Sequence, residues 1–325
     1  MTPAKQRIIT TNRLNLSLTE QGQGPLVLLC HGFPETSAAW RHQLPALAEA
    51  GFRAAAPDLR GYGLSDRPAD ANKYSAMDIL GDLVGLLDAL GESHAVVVGS
   101  DWGATVAWQA ARLRPDRFRA VAALGVPMME RPPAPPSKLF PHLTDACFYV
   151  HHFMPQGLAE QELEADVAKS LRRIYHAASG DVGPRDDPTT PNPFGMVTKS
   201  QGLLGTLPEP ADLPPWLPAA SFHALVTAFE QSGFTGGLNY YRNLDRNWEL
   251  DAAFQGLRVE VPALYMVGDR DTGLSMPGMQ DIIAAMPALV PNLRASIKVP
   301  GSGHWLSQEA PDEVNAALIG FLHDL

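Results

Sequence analysis

Asp101 stands at the centre of Gly99-Ser100-Asp101-Trp102-Gly103, where the apolar run AVVVG gives way to the helical pattern WGATVAWQAARL. Glycines on both sides allow a sharp strand-to-helix turn from which the central side chain projects. The register decides which residue that is. Ser100 would be central only if Val98 and Trp102 were glycines, so the nucleophile offered by this turn is a carboxylate. A carboxylate can displace a leaving group at saturated carbon and become an alkyl ester, whereas a serine yields an acyl-enzyme. Water must then attack the carboxyl carbon of Asp101 itself, which calls for a base and for amide donors to the oxyanion. The plainer alternative is that Asp101 only N-caps the following helix.

Three further features supply what that chemistry needs. His31-Gly32-Phe33-Pro34 directly follows a buried-strand run, LVLLC, and is placed to offer a backbone amide. The N–H groups of Phe33 and Trp102 are the expected oxyanion donors, each worth roughly 10²–10³ in rate. Asp271 lies just beyond the apolar run ALYMV, and His304 just beyond ASIKV. Catalytic groups gather at the carboxyl ends of parallel strands, so Asp271 is expected to orient and stabilise the imidazole, and His304 to take a proton from water. Asp269 is a rival for the acid.

These residues need a scaffold, and the hydrophobic pattern describes one. Leu14, Leu16 and Leu18 alternate with polar residues as in a half-buried strand. LVLLCH is a continuous apolar run of buried-strand length, FRAAAP reads as a second buried strand, and AVVVG, FRAVAALGV, VPALYMVGD and ASIKV read as further strands. Helical stretches separate them: about 38–50, ending at Gly51; SAMDILGDLVGLLDAL, ending at Gly91; WGATVAWQAARL; and a last one from about 311 to 325. The alternation predicts an α/β fold with a mostly parallel sheet flanked by helices. It breaks after Gly125. A proline-rich RPPAPPSK leads into two helical segments, AEQELEADVAKSLRRIYHAAS and SFHALVTAFEQSG, with nine prolines from Pro184 to Pro218 between them, too many for regular structure. The expected organisation is a core of residues 1–128 and 248–325 interrupted by a helical cap, 129–247.

Composition narrows the function classes. A chain of 325 residues with 45% hydrophobic and 18% charged residues suits one large globular core with an insertion. A formal charge of −10 opposes binding to nucleic acid or an anionic membrane. Two cysteines, Cys30 and Cys147, make no disulfide framework. The N-terminal residues lack the apolar segment of a signal peptide, and no stretch is long enough to span a bilayer, so a cytoplasmic protein is expected. The oligomeric state is left open, a homodimer included.

HGFPE, PDLRGYGLSDRP, GSDWGA, GLNYYRNLDRNWEL, VGDRD and GHW together resemble the soluble epoxide hydrolases of the α/β-hydrolase fold superfamily, across nearly the whole chain. The chain order nucleophile, acid, histidine agrees with that superfamily. The resemblance implies hydrolysis of an epoxide to a vicinal diol, with the epoxide and water as its small-molecule partners. It also implies two cap tyrosines that hydrogen-bond the epoxide oxygen. The second falls on Tyr241, in Asn239-Tyr240-Tyr241-Arg242-Asn243. The first falls on Tyr149, shortly before GLAEQELE, with His151 or His152 able to share its role. Pocket positions fall on His31, Pro34, Val150, Phe153 and Trp305, and the proline-rich part of the cap is expected to shape the pocket entrance. Neither an organic cofactor nor a metal is expected, because protein and solvent supply every group.

A haloalkane or haloacid dehalogenase would use the same nucleophile. It commonly adds an Asn in the HGxP loop, where this chain has Phe33, or an Arg after the nucleophile, where it has Trp102. A non-catalytic receptor of the same fold is the reading from another class, and the complete nucleophile, acid and base oppose it.

Overall fold

The computed structural model describes residues 3–187 and 189–325. Its strands are β1 (Lys5–Thr11), β2 (Leu14–Gln21), β3 (Leu26–Cys30), β4 (Arg53–Pro57), β5 (Ala95–Ser100), β6 (Phe118–Leu124), β7 (Ala146–Phe148), β8 (Met196–Thr198), β9 (Ala263–Gly268) and β10 (Leu293–Val299). Eight of them form one sheet in the order β1-β2-β4-β3-β5-β6-β9-β10. From β4 to β10 the neighbours are parallel, and β2 runs antiparallel to both β1 and β4. This is the mostly parallel α/β sheet expected from the alternating pattern.

Alternate strand residues feed opposite faces. Val96 and Val98 of β5 pack with α1 (Gln43–Glu49) and α13 (Pro311–His323). Val97 packs on the other face with α2 (Ala76–Leu90) and α3 (Trp102–Leu113). Both faces of the central strands are covered, so their sequences are continuously apolar. Ser75 and Asp78 form a capping box that starts α2, and Gly91, at φ 74°, ends it.

Between β6 and β9 the chain forms α4 (Pro136–Leu139), α5 (Tyr149–Phe153), α6 (Leu158–Glu164), α7 (Val167–Ala178), α8 (Ala219–Ser232), α9 (Thr235–Arg242) and α10 (Leu244–Asp251). After β9 come α11 (Met279–Leu289) and, following β10, α12 (Leu306–Glu309). Among the described residues no helix is long and apolar enough to cross a membrane.

Five details differ from the sequence pattern. β1 was not apparent in it, since Ile9 and Thr11 are its only buried residues. It pairs with β2 through a two-residue turn, Asn12-Arg13, with φ of 47° and 65°. The helix expected at 38–50 is a 3₁₀ turn, Ser37–Trp40, followed by α1. Pro45 falls in the first turn of α1, where its missing amide breaks no intrahelical bond. The long segment from Ala159 divides into α6 and α7 because the Asp166 side chain accepts the Lys169 amide at 2.9 Å and caps a new helix. The stretch 184–218 also holds regular structure: β8 pairs antiparallel with β7, and a 3₁₀ turn covers Leu204–Thr206. Its prolines cluster at its ends, leaving 194–207 free of proline with amides able to pair. Finally, α10 runs across the 247/248 position expected to divide cap from core.

Register brings the loops together. Cys30 pairs with Gly99, so the loop after β3 lies against the end of β5. Val299 pairs with Gly268, which sets the loops after β9 and β10 side by side.

Candidate active site

Asp101 has φ 53° and ψ −120°, a backbone conformation that L-residues rarely adopt. The flanking glycines are obligatory. A Cβ on Gly99 would lie 2.0 Å from the Gly103 carbonyl oxygen, and one on Gly103 would lie 2.0 Å from the Cys30 carbonyl oxygen. The Asp101 side chain makes no capping bond to α3, so the plain N-cap role is not what the geometry supports.

The Phe33 amide donates to Asp101 Oδ1 at 2.8 Å. Gly32 permits this approach, since a Cβ there would come within 2.4 Å of the Asp101 Cβ. Trp102 is the first residue of α3, where amides have no intrahelical partner. Asp101 Oδ2 points the other way, 3.5 Å from His304 Nε2.

The other ring nitrogen, His304 Nδ1, sits 3.2 Å and 3.3 Å from the two oxygens of Asp271. Asp271 also accepts the Gly273 amide at 2.7 Å. Burial alone would lower the His304 pKa, but the Asp271 and Asp101 carboxylates outweigh it and hold the imidazole well above its usual value. Burial likewise works to raise the Asp271 pKa; the neighbouring imidazolium, the Gly273 amide and the Arg185 charge hold it below the usual carboxylate value instead.

Tyr149, at the start of α5, and Tyr241, near the end of α9, lie with ring centroids 5.6 Å apart. Tyr149 also packs edge to face on Phe153, centroids 5.4 Å apart. Burial first, then the Asp101 charge, pushes both phenol pKa values above the usual range, so both stay protonated. The Asp101 carboxylate, a buried imidazole–carboxylate pair and two neutral phenols are thus supplied by loops of the sheet and by helices between β6 and β9.

A family described as alpha/beta hydrolase fold matches residues 25–311. Epoxide hydrolase A of Mycobacterium tuberculosis is 41% identical over 323 residues, covering 98% of each chain. An epoxide hydrolase of Caballeronia sordidicola is 39% identical over 98% of this chain and 93% of its own. The structure of an epoxide hydrolase from an endophytic Streptomyces superposes with a TM-score of 0.94 at 42% identity, over 99% of this chain and 96% of that one. This chain belongs to the epoxide hydrolases of the α/β-hydrolase family.

Within this epoxide hydrolase Phe33, Trp102, Phe153 and Tyr241 interlock edge to face, with centroids 5.0 to 5.6 Å apart in the Phe33–Phe153, Phe33–Tyr241, Trp102–Tyr241 and Phe153–Tyr241 pairs. Val150 is buried beside them on α5. Trp305 lies 5.0 Å from the His304 ring but stacks on Tyr175 of α7 and donates its indole N–H to the Tyr175 carbonyl at 2.8 Å. The Pro34 carbonyl accepts the Tyr175 hydroxyl at 3.3 Å. His31, expected in the pocket, is a support for the loop instead. It is fully buried, Nδ1 faces the Gly32 carbonyl at 2.9 Å, and Nε2 accepts the Leu59 amide at 3.0 Å, leaving no ring nitrogen for substrate. Asp269, the rival acid, accepts the Gly301 amide at 2.7 Å and caps that turn. His151 Nε2 pairs with the Phe140 carbonyl at 3.2 Å and His152 Nε2 with Glu162 at 2.7 Å.

One residue escaped the sequence reading. Glu35, the last residue of HGFPE, is 2% exposed, and burial pushes its pKa up to about 7 while it feels both Asp101 and His304. Gln308 donates to it at 2.7 Å, and Arg41 in turn donates to Gln308. The available signal was an acidic residue placed directly after a buried strand and its loop.

Proposed function

We propose that this epoxide hydrolase opens the ring by attack of Asp101 Oδ2 on an epoxide carbon. The new carbon–oxygen bond forms as the ring C–O bond breaks, and the electron pair goes to the ring oxygen. Tyr149 and Tyr241 hydrogen-bond that oxygen, and one phenol gives it a proton. His304 then takes a proton from water, which attacks the carboxyl carbon of the Asp101 ester. The oxyanion develops on Oδ1, toward the Phe33 and Trp102 amides. Collapse releases the diol with the former Oδ2. Water's oxygen remains on Asp101; one of its protons restores the His304 imidazolium, the other goes to the departing diol oxygen, and the phenol has been restored by the proton His304 first gave up.

The observation that carries this reading is the division of the Asp101 carboxylate, one oxygen held by the Phe33 amide and the other turned to His304. Alkylation also removes the charge that helps keep His304 protonated, so the imidazolium gives its proton to the phenolate left by ring opening and is then free to act as the base. Glu35, bonded to Gln308 beside this pair, is assigned to holding the hydrolytic water. Residues 129–247 are assigned as the cap, since they supply both phenols.

The test is intact-mass spectrometry of His304→Gln incubated with styrene oxide. Attack by Asp101 does not require the base and hydrolysis does, so an adduct of one substrate mass should accumulate. Substrate binding without an adduct would overturn the assignment of His304.

A further inference from the structure

The chain around His304 is held from the insertion as well as from the core. Glu309, at the end of α12, accepts the Gly303 amide at 2.9 Å and the Gly180 amide at 2.8 Å on one oxygen, and the Trp305 amide at 2.9 Å on the other. The His304 amide donates to the Ala178 carbonyl, the last residue of α7, at 3.0 Å. All three amides from 303 to 305 are therefore fixed by one carboxylate and one carbonyl. Gly180 and Gly303 are glycines for this reason: a Cβ on Gly303 would lie 2.3 Å from the Gly180 nitrogen, and one on Gly180 would lie 2.1 Å from the Gly301 carbonyl oxygen.

The acid loop is tied to the same point. Arg270 donates to the Gly180 carbonyl at 2.8 Å. Arg185 donates to the Ala177 and Ser179 carbonyls, each at 3.0 Å, and to the Arg270 carbonyl at 2.7 Å. The exit of α7 thus joins the loops that carry His304 and Asp271.

We propose that Glu309 is a positioning residue for the hydrolytic half of the reaction, clamping the backbone on both sides of His304 to the exit of the cap helix α7. Three amides converge on the Glu309 carboxylate, which as the anion offers acceptors only, while burial raises its pKa to about 7 against them. Glutamine in that place would turn an N–H toward one of them and leave it unpaired. The imidazole carries its 3.5 Å relation to Asp101 on this short loop, and a displacement of about 1 Å at a reacting group costs on the order of 10²-fold in rate. Attack by Asp101 uses the Phe33 amide and the two phenols, none of which Glu309 touches.

The proposal rests on the reading of His304 as hydrolytic base, and the test separates the two. Wild type, Glu309→Gln, Glu309→Asp and His304→Gln are compared on styrene oxide by stopped-flow tryptophan fluorescence and steady-state kinetics, with the burst amplitude counting folded sites. Glu309→Gln should alkylate within about threefold of wild type and hydrolyse the ester roughly tenfold or more slowly. kcat and KM then fall together while kcat/KM persists, a split that a loss of folded protein would not produce. Glu309→Asp, which keeps the charge on a shorter arm, should lie between them and gives the same split if Glu309→Gln does not fold. Hydrolysis at the wild-type rate, or both steps slowed by one common factor, would overturn the proposal. Failure of His304→Gln to accumulate ester would overturn the underlying reading instead.

Discussion

His304 Nε2 lies 3.5 Å from Asp101 Oδ2 and makes no hydrogen bond, although the ring is buried and its other nitrogen is engaged by Asp271. In the proposed mechanism nucleophile and base face each other without being locked together, which leaves the imidazole to serve water once Asp101 is alkylated.

The charge of Asp101 should therefore be legible in the titration of His304. Burial lowers that pKa, and Asp271 and Asp101 raise it to a net value well above the ordinary one. Asp101→Asn removes one raising cause, so the midpoint of His304 in imidazole NMR should move down. Because the folded pKa is raised, the pairing stabilises wild type fully below the unfolded imidazole value and is lost as pH climbs through the folded one. Urea unfolding across the alkaline range should show that loss, and Asp101→Asn should show less of it. An unchanged or higher midpoint in the variant would contradict the pairing.

The phenols should act on ring opening and not on ester hydrolysis. Tyr241→Phe should slow alkylation, and removal of both hydroxyls should cost about 10²–10⁴ in that step. Pre-steady-state kinetics on styrene oxide measure it. Retained alkylation in the double variant would remove the assigned role.

Glycines on two helices should respond in opposite directions to the same change. Gly103→Ala drives a Cβ into the Cys30 carbonyl at 2.0 Å, and should cost about 1–3 kcal/mol with loss of activity. Gly81, inside α2, has nothing within 4 Å of an added Cβ. Gly81→Ala should stabilise by about 0.4–1 kcal/mol with activity unchanged. Denaturant midpoints decide both.

Much of this was legible because the fold repeats simple rules. Strands covered on both faces must be continuously apolar, and β3, β5, β6 and β9 read that way. The elbow register follows from the clash that any side chain at 99 or 103 would meet. What stayed hidden depends on partners distant in sequence. β1 buries too little to show a pattern, and β8 exists because β7 pairs with it. Glu35 and Glu309 are ordinary acidic residues until folding buries the first and gathers three amides on the second. His31 looked like a pocket residue because nothing in sequence shows that Leu59 and Gly32 take its nitrogens.

The central claim is that Asp101 itself delivers an oxygen atom to the product. A single turnover of excess enzyme with styrene oxide in ¹⁸O water, followed by mass spectrometry of the diol and of the peptide containing Asp101, tests it directly. The first-turnover diol should carry no solvent label, and the label should appear in the Asp101 peptide. Solvent label in the first-turnover diol, with none in that peptide, would mean direct attack by water and would contradict the covalent mechanism.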